Sequence, residues 1–227
     1  MRLCGLALAC VLASLVVPGV EVYGGIVLNR AVGGINPVAV ESMASTTGNL
    51  GRMVWMPTFN SEDNSPDSEN VPVTRNGELL PEVRQVFEVI REYDLALATG
   101  HVSPEEGLLL IREARAAGIG RIIVTHPASA LVGMSLEMQR GAADLGALLE
   151  YTVSAALSPW SFEEFTTQIR ALGLENVVLT TDFGQVGNPV PADGTRAILP
   201  GLRAAGFAQV EIDRMTQHNP ARLLGLN

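Results

Sequence analysis

The sequence predicts an α/β fold built on parallel strands, and three observations carry that expectation. Short, β-rich apolar runs alternate with longer amphipathic ones from residue 21 onward, the pattern of strands joined by helical crossovers. Two of the longer runs open on a serine with glutamate three residues later, Ser103 with Glu106 and Ser161 with Glu164, which is how a helix satisfies its first free backbone N–H groups. Three of the apolar runs end in a polar side chain of chemical interest, His101, His126 and Asp182, and the carboxyl ends of parallel strands are where α/β proteins place their sites.

Taken in order, the chain begins with Arg2 and an apolar run over 3–17, in which Ala7-Leu8-Ala9 before Cys10 gives the outline of a leader. One charge in front and so short a run fit a leader poorly and cannot span a bilayer. The alternative is a buried helix over 6–15, stopped by Pro18-Gly19. Residues 1–20 are therefore set apart as a residual helix or leader, and 21–227 as a single domain. Strands are expected at 23–29, 52–58, 95–101, 121–126, 148–154 and 176–182, and helices at 37–47, 81–93, 103–118, 135–145, 161–173, 195–205 and 208–217. The stretch 59–80 breaks the alternation: it is polar, and Arg75-Asn76-Gly77-Glu78 has the chemistry of a tight hairpin turn. A long insertion directly after a strand is a lid candidate, with a solvated loop as the plain alternative.

Composition narrows the partners. The chain has 227 residues, 47% hydrophobic and 17% charged, which excludes a disordered or coiled-coil chain. Fifteen basic against 24 acidic residues leave a net charge of −9, so nothing neutralises phosphates and neither nucleic acid nor an anionic membrane is an expected partner. A small-molecule substrate is. The two cysteines, Cys4 and Cys10, stand close together with none later, which is no disulfide framework and points to a reducing compartment, the cytoplasm.

Only three histidines occur, and two follow apolar runs, in Ala98-Thr99-Gly100-His101 and Val124-Thr125-His126-Pro127; Leu179-Thr180-Thr181-Asp182 ends a third. Two imidazole nitrogens and one carboxylate from three strand ends form a partial shell for zinc or a similar divalent ion. Glu150, on the run before Tyr151, either faces the same site or is a hydrogen-bonded structural acid. His218 precedes Asn219-Pro220 and is read as a helix cap. Asn29, Asn36 and Gly33-Gly34 are read as turn chemistry, with ligand contact as the alternative, and Trp55 as packing.

The segments Leu97-Ala98-Thr99-Gly100-His101-Val102-Ser103, Ile122-Ile123-Val124-Thr125-His126-Pro127, Thr181-Asp182-Phe183-Gly184 and His218-Asn219-Pro220-Ala221-Arg222-Leu223-Leu224 resemble the amidohydrolase superfamily of metal-dependent hydrolases. Gly24 with the five residues after it, and Trp55-Met56-Pro57-Thr58, resemble an uncharacterised bacterial branch of it. The likeness runs from about residue 16 to the end. It implies a (β/α)8 TIM barrel in which Asp182 ends strand eight, Glu150 lies on strand seven, His126 ends strand six and His101 strand five. It also implies a metal held by His101, His126, Asp182 and a His-x-His pair on strand one. No His-x-His occurs in this sequence, and Thr58 stands where the superfamily often has a bridging lysine. The expectation is an incomplete barrel with strands one and two missing, open at two edges and prone to self-association as a homo-oligomer. The implied activity is hydrolysis of an amide, ester or cyclic C–N bond of a small molecule, with Asp182 taking and returning the proton. The competing reading is a non-catalytic barrel that binds a small molecule or a partner.

Overall fold

The computed structural model describes residues 13, 16, 17, 19–46, 48–65, 69–156, 161–184 and 186–226. The expected helix over 6–15, Ala13 aside, and both cysteines lie outside them. The fold is α/β, and its six long-range strands all run in parallel pairs. The chain divides into two compact units, residues 1–123 and 124–227.

The first unit follows the expected order: β1 (Gly24–Val27), α1 (Pro37–Ala44), β2 (Gly51–Trp55), the short β3 (Thr74–Arg75) and β4 (Glu78–Leu79), α2 (Pro81–Glu92), β5 (Ala96–Ala98), α3 (Pro104–Ala116) and all but the last residue of β6 (Ile122–Val124), with which the second unit begins. β1 pairs with β2, β2 with β5, and β5 with β6, all in parallel. Every residue of β5 and β6 is buried, which is why these strands read as unbroken apolar runs rather than alternating ones. Helix α2 buries Val83, Val86, Phe87 and Ile90, an i, i+3, i+4, i+7 stripe worth roughly 1.5–3 kcal/mol per side chain. Helix α3 starts as expected: the Ser103 hydroxyl accepts from the Glu106 N–H at 3.3 Å, and the Glu106 carboxylate accepts from the Ser103 N–H at 3.4 Å. Gly25 lies so close to the Met53 carbonyl and the Trp55 ring that no Cβ fits there, which seats Trp55 on β1, in keeping with a packing role.

The described residues of the 59–80 segment, 59–65 and 69–80, are fastened rather than floppy. β3 and β4 form the expected hairpin across Asn76 (φ +54°) and Gly77 (φ +79°), both in the left-handed region that a two-residue turn of this kind requires. Val73 and Leu79 are buried, and the Thr74 hydroxyl donates to Glu106 at 2.7 Å. Val73 and Leu79, one on each side of the turn, anchor the hairpin. Residues 66–68 of this segment are not among those described.

The second unit contains α4 (Leu136–Asp144), β7 (Leu148–Thr152), α5 (Val153–Ala156), α6 (Phe162–Leu172), β8 (Val177–Thr180), α7 (Pro191–Ala204), α8 (Gln209–Asp213), a π-helical turn (Arg214–His218) and α9 (Asn219–Leu224). β7 and β8 pair in parallel, with Thr152 opposite Thr180. Helix α6 carries the second capping box, with the Ser161 hydroxyl accepting from the Glu164 N–H at 3.1 Å.

Three expectations need correction. The strands are shorter than the apolar runs, because the backbone leaves the ladder at Gly100 (φ +68°), His126 (φ +44°) and Asp182 (φ +54°), conformations that cannot continue a strand. His101, His126 and Asp182 therefore lie just past the strands, not on them. Helix α7 starts at Pro191, not Thr195. Proline fits the first helical position, and Gly194 is tolerated because the Phe183 ring occupies the space a Cβ would need. His218 is not a cap: its backbone is helical (φ −68°, ψ −46°) and its side chain makes no capping bond, since the π-helical turn carries the helix through into α9. Asn219 does the structural work instead. It is 3% exposed, and its amide donates to the carbonyls of Leu174 (2.8 Å) and Val177 (2.6 Å) at the start of β8.

Candidate functional site

Within the second unit the ends of β6, β7 and β8 bring His126, Glu150 and Asp182 together. His126 Nδ1 lies 3.2 Å from Glu150 Oε2, and His126 Nε2 lies 3.7 Å from Asp182 Oδ2. The Thr180 hydroxyl donates to Glu150 Oε1 at 3.0 Å. The imidazole is thus flanked by a carboxylate at each nitrogen.

Strand alternation places Glu150. Leu149 and Tyr151 point to one face, where the Tyr151 hydroxyl donates to Gln139 on α4 at 2.8 Å; burial pushes its acidity down, raising its pKa. Glu150 and Thr152 point to the other face. Glu150 both faces His126 and is hydrogen-bonded, by Thr180. Thr180, on the neighbouring strand and the same face, is the residue that sequence reasoning missed. Its signal was the two-residue spacing from Asp182 back along the run.

Two site residues hold unusual backbone conformations. Positive φ at His126 and Asp182 costs on the order of 1 kcal/mol or more for each residue, a strain found preferentially where side chains must be aimed. The loop after β6 fixes the first of them: Ser129 N–H donates to the His126 carbonyl at 2.9 Å, and Met134 N–H to that of Pro127 at 2.9 Å. Exposure separates the roles. The His126 and Glu150 side chains are 12% and 16% exposed, whereas Asp182 is 38% exposed and meets solvent. Burial alone would disfavour a charged His126; the Glu150 hydrogen bond and the charges of Glu150 and Asp182 together outweigh it and raise its pKa above the usual imidazole range.

His101 belongs to the first unit and is held by that unit's own contacts. Its N–H donates to the Pro57 carbonyl at 2.9 Å, its carbonyl accepts from Asn64 at 3.0 Å, and the Phe59 ring meets the imidazole edge-on at 6.2 Å. Gly100 precedes it because a Cβ there would strike the carbonyls of Met56 and Pro57. The structure thus brings His126 and Asp182 together within the second unit. Nearby, Asn29 ties β1 to β2: its amide donates to the Thr58 hydroxyl at 2.8 Å, and its carbonyl oxygen accepts from the Thr58 N–H at 2.9 Å. Asn36 caps α1 by accepting from the Ala39 N–H, and Gly33 and Gly34 turn the chain at positive φ. Gly33 and Gly34 serve the turn expected of them, whereas the Asn29 bridge to Thr58 and the Asn36 cap are roles the sequence reading did not specify. His218 is remote in role from this chemistry, being part of the π-helical turn.

Among the described residues no three His, Cys, Asp or Glu side chains are arranged to enclose a metal ion. The reason is geometric: the two carboxylates meet different nitrogens of one ring, so His126, Glu150 and Asp182 share no common centre. Among the described residues no helix is long and apolar enough to cross a membrane.

Comparison with known proteins adds a family and a fold. A family model, DUF6282, described as a family of unknown function, matches residues 5–150; this span includes His101, His126 and Glu150 and stops before Asp182. No curated protein matches the sequence. The solved structures that match include a phosphotriesterase homology protein from Escherichia coli with phosphate in its active site, at 19% identity and TM-score 0.51, covering 73% of this chain and 64% of that one. An organophosphorus hydrolase from Deinococcus radiodurans matches at 18% identity and TM-score 0.55, over 86% and 64% of the two chains. A third, described as organophosphate hydrolysis engineered from a weak promiscuous lactonase template, matches at 19% identity and TM-score 0.55, over 86% and 66%. The likeness gives the α/β fold of these hydrolases. This chain spans less than two-thirds of the length of each of the three.

Proposed function

The chain belongs to the DUF6282 family of unknown function, and from that premise we propose that it contributes the metal-binding strand ends of a hydrolase that cleaves an ester or amide bond of a small molecule. One observation carries the reading: a histidine flanked by two carboxylates where three strands end, with both His126 and Asp182 in strained conformations. The activities for which the matching structures are named, organophosphate hydrolysis and a lactonase template, support lactones and phosphotriesters as the first substrates to try. The two closely spaced cysteines support a cytoplasmic setting.

The donor set suits a divalent ion such as zinc. Two ligands each about 2.0–2.1 Å from zinc lie roughly 3.3 Å apart at the tetrahedral angle, and farther apart as the angle opens. The 3.7 Å between His126 Nε2 and Asp182 Oδ2 is compatible with both holding one ion. We assign His101 as a further donor on its sequence position alone. When bound, the ion supplies Lewis acidity toward water and the carbonyl or phosphoryl oxygen. The chain's own groups divide the rest. Asp182, the solvent-facing member, accepts a proton from the incoming water and returns it to the leaving group. Buried His126 stays fixed between its two carboxylates.

Metal-stripped protein reloaded with zinc, manganese or cobalt, followed by elemental analysis and a panel of lactones, aryl esters, amides and phosphotriesters, tests this. We expect bound metal and turnover in the parent chain. Asp182→Asn should keep part of the metal and lose turnover, and His126→Ala should lose both. Binding of panel compounds with neither metal uptake nor turnover would overturn the proposal in favour of a non-catalytic binding protein.

A further inference from the structure

The tip of the β3–β4 hairpin presents Asn76-Gly77 to solvent. We infer that Asn76 is a modification site, at which the turn converts spontaneously to aspartate and isoaspartate, and that the isoaspartate releases the hairpin from helix α3. The reaction is independent of any hydrolase activity.

The chemistry needs an asparagine amide, a following backbone nitrogen free to attack it, and room for the ring that results. The Gly77 nitrogen attacks Cγ of Asn76 and closes a succinimide. The Cγ–Nδ2 bond breaks, and ammonia leaves with the proton given up by the Gly77 nitrogen. Water then opens the ring. Opening at Cγ gives aspartate; opening at the main-chain carbonyl gives isoaspartate, whose backbone is longer by one carbon. Water is the only co-reactant.

Asn76 is the one asparagine in the sequence that glycine follows, and glycine puts no side chain in the way of its own nitrogen. A Cβ added to Gly77 would meet nothing within 4 Å, so the ring has room. The pair that flanks the turn is Arg75 with Glu78, and the turn's own hydrogen bond joins those two residues, leaving the Gly77 N–H out of it. Attack requires the Gly77 nitrogen to swing toward the Asn76 side chain, so conversion waits for the tip to open. Little holds the tip shut. β3 and β4 have two residues each, a ladder too short to be stable by itself, and the anchoring residues Val73 and Leu79 lie below it.

The other candidates are blocked. Asn36, Asn188 and Asn219 precede proline, which has no N–H. Asp193-Gly194 could close the same ring with loss of water, but the Gly194 N–H is committed to the Val190 carbonyl at 3.2 Å and Asp193 accepts from Arg196 at 2.7 Å. The two products at Asn76 differ in effect. Asp-Gly suits a two-residue turn as well as Asn-Gly does, whereas an added backbone carbon does not fit it. Isoaspartate therefore unpairs β3 from β4, and the Thr74 hydroxyl leaves Glu106, the carboxylate that caps α3.

The test ages the full folded chain at mildly alkaline pH and follows it by tryptic mass spectrometry. Cleavage after Arg75 and Arg84 gives a peptide in which Asn76 is the only asparagine. We expect this peptide to gain one dalton and to split into two chromatographic species, one of them co-eluting with the peptide from Asn76→Asp. Asn76→Ser should show no gain. In urea, where the opening step is gone, the parent should convert faster than when folded, and Gly77→Ala severalfold more slowly than the parent. Hydrogen exchange read on the separated peptides should rise across the hairpin in the isoaspartate form and stay at the parent level in Asn76→Asp. A folded chain that gains no mass while the urea-unfolded chain converts overturns the site. Unchanged exchange in the isoaspartate form overturns the release.

Discussion

At the scale of single residues, the site depends on backbone geometry that the sequence only partly reveals. His101, His126 and Asp182 stand out in sequence because they close apolar runs, but nothing in the letters shows that the chain turns left-handed at His126 and Asp182. That conformation is set by the loop contacts behind them. Glu150 was legible to the extent that its alternation with Tyr151 fixes its face; its bond to Thr180 depends on strand register, which a single sequence does not carry. Gly100→Ala should cost about 2–4 kcal/mol by urea unfolding, since it adds a left-handed penalty to a clash with two backbone carbonyls. The raised pKa of His126 gives a pH signature with a definite sign. The stabilisation from charged His126 is complete below its unfolded value of about 6.5 and is lost as pH rises through the higher folded value. The melting temperature of metal-free protein should therefore fall between about pH 6 and pH 8, and His126→Gln should flatten that slope. With zinc present the trend should reverse, because the ion competes with the proton for the same nitrogen.

At the scale of elements, capping boxes and the α2 stripe were readable because they are local: a serine, a glutamate three residues on, and a fixed apolar spacing. The helix after residue 208 was not, since its period hides the π-helical turn that inserts one residue before Asn219. That insertion brings Asn219 beneath the carbonyls of Leu174 and Val177. Asn219→Leu should destabilise the protein by roughly 2–3 kcal/mol, because two carbonyls at the start of β8 lose their donor in a buried place. His218→Ala should stay within about 0.5 kcal/mol of the parent. Equal losses from both substitutions, in the same thermal melts, would refute the division of labour between these neighbours. The 59–80 insertion taught the converse lesson. Its polar composition suggested a lid or a solvated loop, and the apolar residues that hold its hairpin, Val73 and Leu79, are few and widely spaced, so composition concealed the anchorage.

At the scale of the whole molecule, α/β alternation was legible because buried parallel strands leave unbroken apolar runs, whereas strand count and closure depend on pairings between distant segments. Among the described strands β1 pairs only with β2, and such an edge of a parallel sheet is seldom left open to water. We expect the chain to self-associate, with light scattering after size exclusion giving a mass above that of one chain; a monomer with a cooperative melt would refute this. The division into residues 1–123 and 124–227 also has an optical consequence, because each unit holds one of the two tryptophans, Trp55 and Trp160. Trp160→Phe leaves a single fluorophore seated against Gly25, so its emission should shift to the red as β1 parts from β2. Its unfolding curve would follow the first unit in a light of its own, and a midpoint coincident with that of the whole chain's circular dichroism would mean that the chain unfolds as one body.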